Sequence, residues 1–119
     1  MKKLSLILAL FAVVILGKTA AGQSKDLTGN VDNGKRLFVR NGCYQCHGYV
    51  GQGGAAGARL AQTKLPLAGF TAFVRNPPPS GMPPYRAKVM SDQELADVWS
   101  YIKSIPEPKP VKDIPLLNQ

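Results

Sequence analysis

The sequence predicts an all-α domain built from three to four short helices. Apolar residues recur at helical spacing in several stretches, and clusters of glycine and proline separate these stretches. No stretch alternates apolar and polar residues strongly enough to predict a sheet. The chain has 119 residues, which is enough for one domain. We therefore expect one small helical domain with much irregular structure between its helices.

The first predicted helix spans residues 31–40. Asn30 is a suitable N-cap, and Phe38 together with the small Gly34 lies on a face that can be buried. Gly42 follows the helix, and glycine readily adopts the positive φ that often ends one. The helix is therefore expected to end before residue 43.

The second predicted helix spans residues 67–75, between two irregular segments. Five glycines fall within residues 48–57, so that stretch is expected to be a loop. Three consecutive prolines begin at Pro77. Because proline lacks an amide proton and restricts the residue before it, the helix must end before Pro77.

The last predicted helix has the clearest boundaries. Ser91 is followed three residues later by Glu94, which is the pattern of a capping box. Apolar residues then recur at helical spacing until Pro106, namely Leu95, Val98, Trp99, Ile102 and Ile105. Residues 106–119 contain four prolines and are expected to form an extended surface tail.

The N-terminus has the features of a cleaved secretory signal. Two lysines precede an apolar run over residues 4–17, and small residues follow up to Ala21. The run is shorter than the roughly 20 residues that cross a bilayer as a helix. We therefore predict cleavage of the signal and export to the periplasm. The alternative is an uncleaved membrane anchor with the domain facing the periplasm, and only in that case is the protein expected to associate with a membrane. The predicted divisions are a signal peptide at 1–21, a lead-in at 22–29, a domain at 30–105 and a tail at 106–119.

Removal of the signal lowers the net charge of the chain. Three of the 15 basic residues and none of the seven acidic ones lie in it, so the mature chain has 12 basic residues and a net charge of +5 instead of +8. A modest positive charge favours a partner with an acidic docking surface. The basic residues are not interleaved with aromatic ones, so the composition argues against binding to nucleic acid.

The motif that carries chemistry is Cys43-Tyr44-Gln45-Cys46-His47. Cysteines three residues apart lie about one helical turn apart, so that both thiols can reach the two vinyl groups on one side of a porphyrin. The histidine after the second cysteine then lies under the iron. C-x-x-C-H is the attachment signature of haem c, with thioether bonds to Cys43 and Cys46 and His47 as the proximal iron ligand.

Two other chemistries use cysteines at this spacing. A structural zinc site would need two further ligands, and the chain has no third cysteine and one histidine. A thioredoxin-type dithiol belongs to a fold with strand–helix–strand patterning, which the sequence lacks. Export, the adjacent histidine and the scarcity of core-forming residues in a small domain favour haem.

Four features of the chain resemble the class I c-type cytochromes. They are Gly34 and Phe38 on the first helix, the C-Y-Q-C-H-G motif at 43–48, the V-R-N-P-P-P-S-G-M-P-P-Y segment at 74–85, and the D-Q-E-L-A-D-V-W-S-Y-I helix at 92–102. The resemblance covers nearly all of the mature chain. It implies a cytochrome c fold, in which the helices pack around one covalently bound haem and the first and last helices cross near Gly34. Phe38, Leu95, Trp99 and Tyr101 would pack around that crossing.

The second axial ligand is predicted to be a methionine. His47 is the only histidine, and outside the signal the methionines are Met82 and Met90. Met82 lies between Gly81 and two prolines in a segment that cannot be helical, whereas Met90 directly precedes the cap Ser91 and can pack on Leu95. The resemblance also places Met82 at the family's ligand position. Met82 is therefore the predicted ligand, and Met90 is the alternative.

The resemblance further suggests contacts around the haem edge. Arg75, Tyr85 and Arg86 are candidates for hydrogen bonds to the haem propionates. Many class I cytochromes have a proline whose carbonyl accepts from the proximal histidine, but this chain has Ala58-Arg59 before Leu60. Another carbonyl, within residues 57–60, is expected to orient His47.

The predicted function is single-electron transfer between periplasmic or membrane-bound redox partners, and not enzyme catalysis. The sequence has no distal histidine, no nucleophile–base pair and no paired carboxylates. Two alternatives stay open. In the first, the chain is an electron-relay subunit of a larger dehydrogenase or oxidase. In the second, it is a haem-based gas sensor or enzyme in which the sixth ligand is labile.

Overall fold

The computed structural model describes residues 27–79 and 81–117, and within these ranges the chain is helical without a β-strand. The only β feature there is an isolated bridge between Gly54 and Gly57. The all-α prediction is therefore confirmed. In chain order the helices are α1 (Val31–Arg40), α2 (Cys43–His47), α3 (Leu67–Arg75) and α4 (Asp92–Ser104).

The helix ends follow from the capping residues that the sequence indicated. The Asn30 side chain accepts from the Asn33 amide at the start of α1, and Gly42, with φ of 74°, follows its end. Helix α4 begins with a complete capping box between Ser91 and Glu94. These local signals explain why the predicted boundaries of α1, α3 and α4 agree with the structure to within about a residue.

Helices α1 and α4 form the frame of the domain, and they touch at Gly34. A Cβ atom at Gly34 would lie 2.0 Å from the Asp97 carbonyl oxygen, so only glycine allows the two backbones to approach this closely. Beside the contact, the Phe38 and Tyr101 rings meet edge to face with centroids 5.5 Å apart. The expected crossing of the first and last helices is therefore present.

A buried carboxylate strengthens the same crossing. Asp97 is 3 % exposed, and its carboxylate accepts from the Asn30 amide at 2.8 Å, the Asn33 side-chain amide at 2.6 Å and the Gln93 side-chain amide at 3.0 Å. Burial acts to raise the pKa of Asp97, but these hydrogen bonds outweigh it and the pKa is lowered. Asp97 therefore stays ionised and joins the start of α1 to the middle of α4.

The core consists of side chains from α1, α3 and α4 together with Met90. Trp99 lies at the edge of this core and is only partly buried. Its indole N–H donates to the Leu65 carbonyl at 2.9 Å, and the Lys103 ammonium lies 4.5 Å from its ring centroid. The expectation that Trp99 packs around the crossing is therefore met only in part. The buried members are Leu37, Phe38, Phe70, Val74, Met90, Leu95, Val98, Tyr101 and Ile102.

The C-terminal tail differs from its prediction. It is exposed along most of its length, but it contains two single 3₁₀ turns, at Val111–Asp113 and Pro115–Leu117, and is not uniformly extended. Proline explains the difference, because its fixed φ suits the start of such a turn: Pro115 is the first residue of the second turn, and Pro110 directly precedes the first. The predicted signal peptide lies outside the described residues. Among the helices that are described, none has the length and apolar character needed to cross a membrane.

Candidate functional site

The Cys-x-x-Cys-His motif forms the short helix α2, which glycines bound on both sides. Gly42 precedes it in the left-handed region, and Gly48 ends it with φ of 75° and donates its amide to the Tyr44 carbonyl at 2.9 Å. The Cys43 side chain is half-buried and Cys46 is exposed, and both thiols are free. The motif therefore presents two unbonded thiols from a single helical turn.

His47, the last residue of α2, has its ring oriented by a backbone carbonyl. Its Nδ1 atom lies 2.7 Å from the carbonyl oxygen of Ala58. Because a carbonyl oxygen only accepts, this bond requires the proton to be on Nδ1, and the lone pair is then on Nε2. The orienting carbonyl belongs to the range 57–60 that the sequence suggested, and the structure identifies it as that of Ala58.

The glycine-rich loop brings the Ala58 carbonyl to the histidine. The Gly53 amide donates to the His47 carbonyl at 2.9 Å, and the Leu60 amide donates to the Gly51 carbonyl at 2.8 Å, so the loop folds back beside α2. A Cβ atom at Gly57 would lie 2.9 Å from the Cys46 carbonyl oxygen. The absence of a side chain at Gly57 therefore lets the loop pack directly against the motif.

Tyr85 contacts the start of the motif. Its hydroxyl donates to the Asn41 carbonyl at 2.8 Å and also interacts with the Cys43 thiol. Burial raises the pKa of Tyr85, and the neighbouring Cys43 raises it further. Burial also raises the pKa of Cys43, although hydrogen bonds from its own backbone and from Tyr85 act in the opposite direction. Tyr85 is therefore protonated at neutral pH.

The two methionines have different surroundings. Met90 is 2 % exposed and belongs to the same buried cluster as Leu95, as expected for a residue that packs in front of the helix cap. Met82 is half-buried at the edge of this cluster and follows Gly81, whose φ is 91°. It lies on the irregular segment between α3 and α4, residues 76–91, which we call the Met82 segment.

Arg75, Tyr85 and Arg86, the candidates for contacts with haem propionates, do not share one environment. The Arg75 guanidinium donates at 2.6 Å to each of three protein oxygens, and the Tyr85 hydroxyl is bonded to Asn41. The Arg86 side chain is exposed. The sequence did not indicate the hydrogen bonds that Arg75 and Tyr85 make to protein carbonyls, since the acceptors are backbone atoms.

The donor set of the site suits haem c better than a metal ion held by protein alone. Within residues 27–79 and 81–117, no three His, Cys, Asp or Glu side chains come close enough together to hold a metal ion. Two free thiols and one imidazole with its Nε2 lone pair are instead the groups that thioether attachment and proximal ligation of haem require.

The chain matches the model of the protein family described as cytochrome c oxidase, cbb3-type, subunit III, over residues 29–102. This range covers more than half of the chain, contains α1, α2 and α3 and extends to Ile102 in α4. No curated protein and no solved structure matches the chain. The chain therefore belongs to this family, and it is a class I c-type cytochrome with the all-α cytochrome c fold, a fold whose cofactor is haem c and whose chemistry is electron transfer.

Proposed function

We propose that this chain is a single-electron carrier with one haem, bound covalently through Cys43 and Cys46 and axially through His47 and Met82. The observation that carries the proposal is the hydrogen bond between His47 and the Ala58 carbonyl, which leaves Nε2 available beside two free thiols. When bound, haem c supplies an iron that is oxidised and reduced by one electron.

The residues of the proximal side hold the imidazole in one orientation. The Ala58 carbonyl fixes the tautomer of His47 and increases the basicity of its ring, as partners of metal-bound histidines generally do. The Gly53–His47 and Gly57–Cys46 contacts hold the loop that carries this carbonyl. A ligand that is oriented before the electron arrives has little to rearrange during transfer, which suits a carrier.

Met82 is the better candidate for the distal side because Met90 is part of the core. Extracting the Met90 side chain would leave a cavity among the buried residues, and such cavities cost about 2–5 kcal/mol. Met82 is half-buried on an irregular segment, so its thioether can reach a ligand position without opening the core. A histidine–methionine pair also raises the reduction potential of the haem.

The charge distribution favours an acidic partner. Three acidic side chains are in ion pairs, Glu94 with Arg40, Asp92 with Arg75 and Glu107 with Arg59, and Asp97 is buried. Exposed lysines such as Lys35, Lys64 and Lys88 therefore contribute most of the unbalanced surface charge. We propose that the domain at 30–105 works in the periplasm after removal of residues 1–21, with 22–29 and 106–119 as flanking segments.

A relay subunit of a larger oxidase is the second candidate function. The observation in its favour is the family itself, whose description names a subunit of a cbb3-type oxidase. The two candidates differ in assembly, because a free carrier elutes alone at native ionic strength whereas a relay subunit co-purifies with an oxidase from detergent-solubilised membranes. Size-exclusion chromatography of the untagged, natively expressed protein measures this difference.

The ligand assignment is tested with two methionine variants of the haem-loaded protein. Met82→Ala is expected to abolish the thioether-to-iron charge-transfer band of the ferric state and to open the ferrous iron to carbon monoxide. Met90→Leu, which conserves side-chain volume in the core, is expected to keep the band. The reverse result would assign the ligand to Met90. Carbon monoxide binding to the unmodified ferrous protein as fast as to Met82→Ala would favour the gas sensor or enzyme, whereas a carrier binds it only slowly, after displacement of Met82.

A further inference from the structure

Within the Met82 segment, residues 77–84 have few amide donors with which to fix their own position. Five prolines, at 77–79 and 83–84, have no N–H group, and they surround Met82 on both sides. The position of this stretch then depends on how the residues that follow it are held, including by donors from side chains elsewhere in the domain.

Arg75, the last residue of α3, supplies these donors. Its Nη1 atom donates to the carbonyls of Tyr85 and Met90, both at 2.6 Å, and its Nη2 atom donates to the Asp92 carboxylate at 2.6 Å. The Arg75 side chain is 15 % exposed, so these bonds are partly shielded from water. One guanidinium therefore joins the end of α3, two carbonyls of the Met82 segment and the start of α4.

Tyr85 donates two further hydrogen bonds, and it lies three residues after Met82. Its amide donates to the Val74 carbonyl at 3.0 Å, and its hydroxyl donates to the Asn41 carbonyl at 2.8 Å. Three residues of extended chain reach at most about 10 Å, so fixing Tyr85 limits where Met82 can lie. One of the two carbonyls that Arg75 binds belongs to Tyr85. Arg75 therefore acts on the residue that limits where Met82 can lie.

We propose that Arg75 is a positioning residue for the sixth iron ligand: its guanidinium holds the Met82 segment and thereby keeps the Met82 thioether over the haem face. The inference rests on the proposed function, in which Met82 is that ligand. Arginine suits this role better than lysine does, because its planar group can donate to three acceptors in fixed directions whereas an ammonium is a compact point charge. Arg75 is therefore assigned to the ligand segment and not to a haem propionate.

The test measures how readily Met82 leaves the iron. Arg75→Gln, Arg75→Lys and the charge-matched control Lys88→Gln are made in the full-length chain and matured with haem. Lys88 is exposed and lies on the same segment. The readouts are the rate at which ferrous protein binds carbon monoxide, which requires displacement of Met82, and the intensity of the ferric thioether-to-iron band. The free energy of unfolding is measured in parallel.

Arg75→Gln is expected to bind carbon monoxide at least about tenfold faster than the unmodified protein, because hydrogen bonds from a charged donor to both carbonyls are lost. Its charge-transfer band is expected to weaken. Arg75→Lys is expected to give an intermediate rate, and Lys88→Gln the unmodified rate. An Arg75→Gln protein that is folded, keeps the full band and binds carbon monoxide at the unmodified rate would overturn the proposal.

If Arg75→Gln does not fold, Arg75→Lys decides the question. It keeps the positive charge, but its compact ammonium cannot donate to the two carbonyls and the carboxylate in the directions that the guanidinium uses. A several-fold faster reaction with carbon monoxide supports the proposal, and an unchanged rate contradicts it. Failure of the proposed function gives a different result, since the unmodified protein would then lack the thioether-to-iron band.

Discussion

The α1–α4 crossing and the Met82 segment are held together in different ways. At the crossing, two helix backbones touch at Gly34, and the buried Asp97 carboxylate accepts three hydrogen bonds. The described residues of the Met82 segment, 76–79 and 81–91, have no regular secondary structure, and two of their carbonyls accept from Arg75. The crossing therefore determines whether the domain folds, and the segment determines how firmly one side chain is presented.

This difference implies that the two regions can be altered separately. A change at the crossing is expected to lower the free energy of unfolding without changing the reaction of the folded protein with carbon monoxide. A change in the Arg75 hydrogen bonds is expected to speed the reaction with carbon monoxide, whatever its effect on the free energy of unfolding. Two measurements on the haem-loaded protein separate these effects. Denaturant unfolding gives the free energy of unfolding, and carbon monoxide binding gives the rate at which Met82 leaves the iron.

Gly34→Val is expected to have the largest effect. A Cβ atom there would lie 2.0 Å from a backbone oxygen of α4, which cannot move aside as a flexible side chain can. We expect a loss of at least about 3 kcal/mol of unfolding free energy, or failure to fold. A typical point substitution costs about 1 kcal/mol. If the unfolding free energy of Gly34→Val is within about 1 kcal/mol of the unmodified value, the helices do not need this contact.

Gly69→Ala is the matched control for Gly34. Gly69 is inside α3, and a Cβ atom there would have no heavy atom nearer than 3.7 Å. Because alanine favours the helix more than glycine does, the substitution is expected to stabilise the protein by about 0.5–1 kcal/mol. A large destabilisation at Gly69 would mean that glycine substitution harms this fold irrespective of the space available.

Asp97→Asn is expected to have an intermediate effect. The amide keeps one acceptor oxygen but loses the negative charge that attracts three donors, so we expect a loss of about 2 kcal/mol at pH 7. The hydrogen bonds lower the pKa of Asp97 in the folded state despite its burial, so its contribution is present above the unfolded-state pKa and is lost as the pH falls through the folded-state pKa.

The pH dependence supplies a second check on Asp97. The difference in unfolding free energy between the unmodified protein and Asp97→Asn is expected to shrink as the pH falls below about 4. Hydrogen bonding to the Ser91 backbone and side chain and to Arg40 also lowers the pKa of Glu94, but that contribution is common to both proteins and cancels in the difference. A difference that stays constant into acid would contradict the assignment.

Arg40→Gln is expected to have the smallest effect, and it sharpens the contrast with Arg75. Arg40 joins α1 to Glu94 of α4 at 3.0 Å, but its side chain is 61 % exposed. An exposed ion pair of this kind contributes little, so we expect a change within about 0.5 kcal/mol and no change in carbon monoxide binding. An effect of Arg40→Gln on carbon monoxide binding equal to that of Arg75→Gln would show that loss of any arginine perturbs the ligand.

Most of the helical frame could be predicted from sequence because its signals are local. Asn30, Gly42 and the Ser91–Glu94 pair act on backbone groups within a few residues, and Pro77 excludes its own position from a helix. The crossing at Gly34 followed from the family resemblance. The 3₁₀ turns of the tail were missed, since a proline-rich stretch permits both an extended chain and short turns.

The partners of the site could be predicted only in part. Cys43, Cys46 and His47 form a contiguous motif, but the acceptors in this region are backbone carbonyls, which have no signature in the sequence. For the acceptor of the His47 ring, the sequence narrowed the choice to the carbonyls of residues 57–60, one of which is that of Ala58. Nothing in the sequence indicated that the Tyr85 carbonyl accepts from Arg75. Asp97 was missed because a charged residue in an amphipathic helix ordinarily lies on the solvent side.

Covalent attachment of one haem at Cys43 and Cys46 is measured by the intact mass of the exported protein. We expect a mass equal to the mature polypeptide plus one haem, with that addition on the peptide containing Cys43 and Cys46 and neither thiol open to alkylation. A mature protein with the bare polypeptide mass and two alkylatable thiols would contradict it.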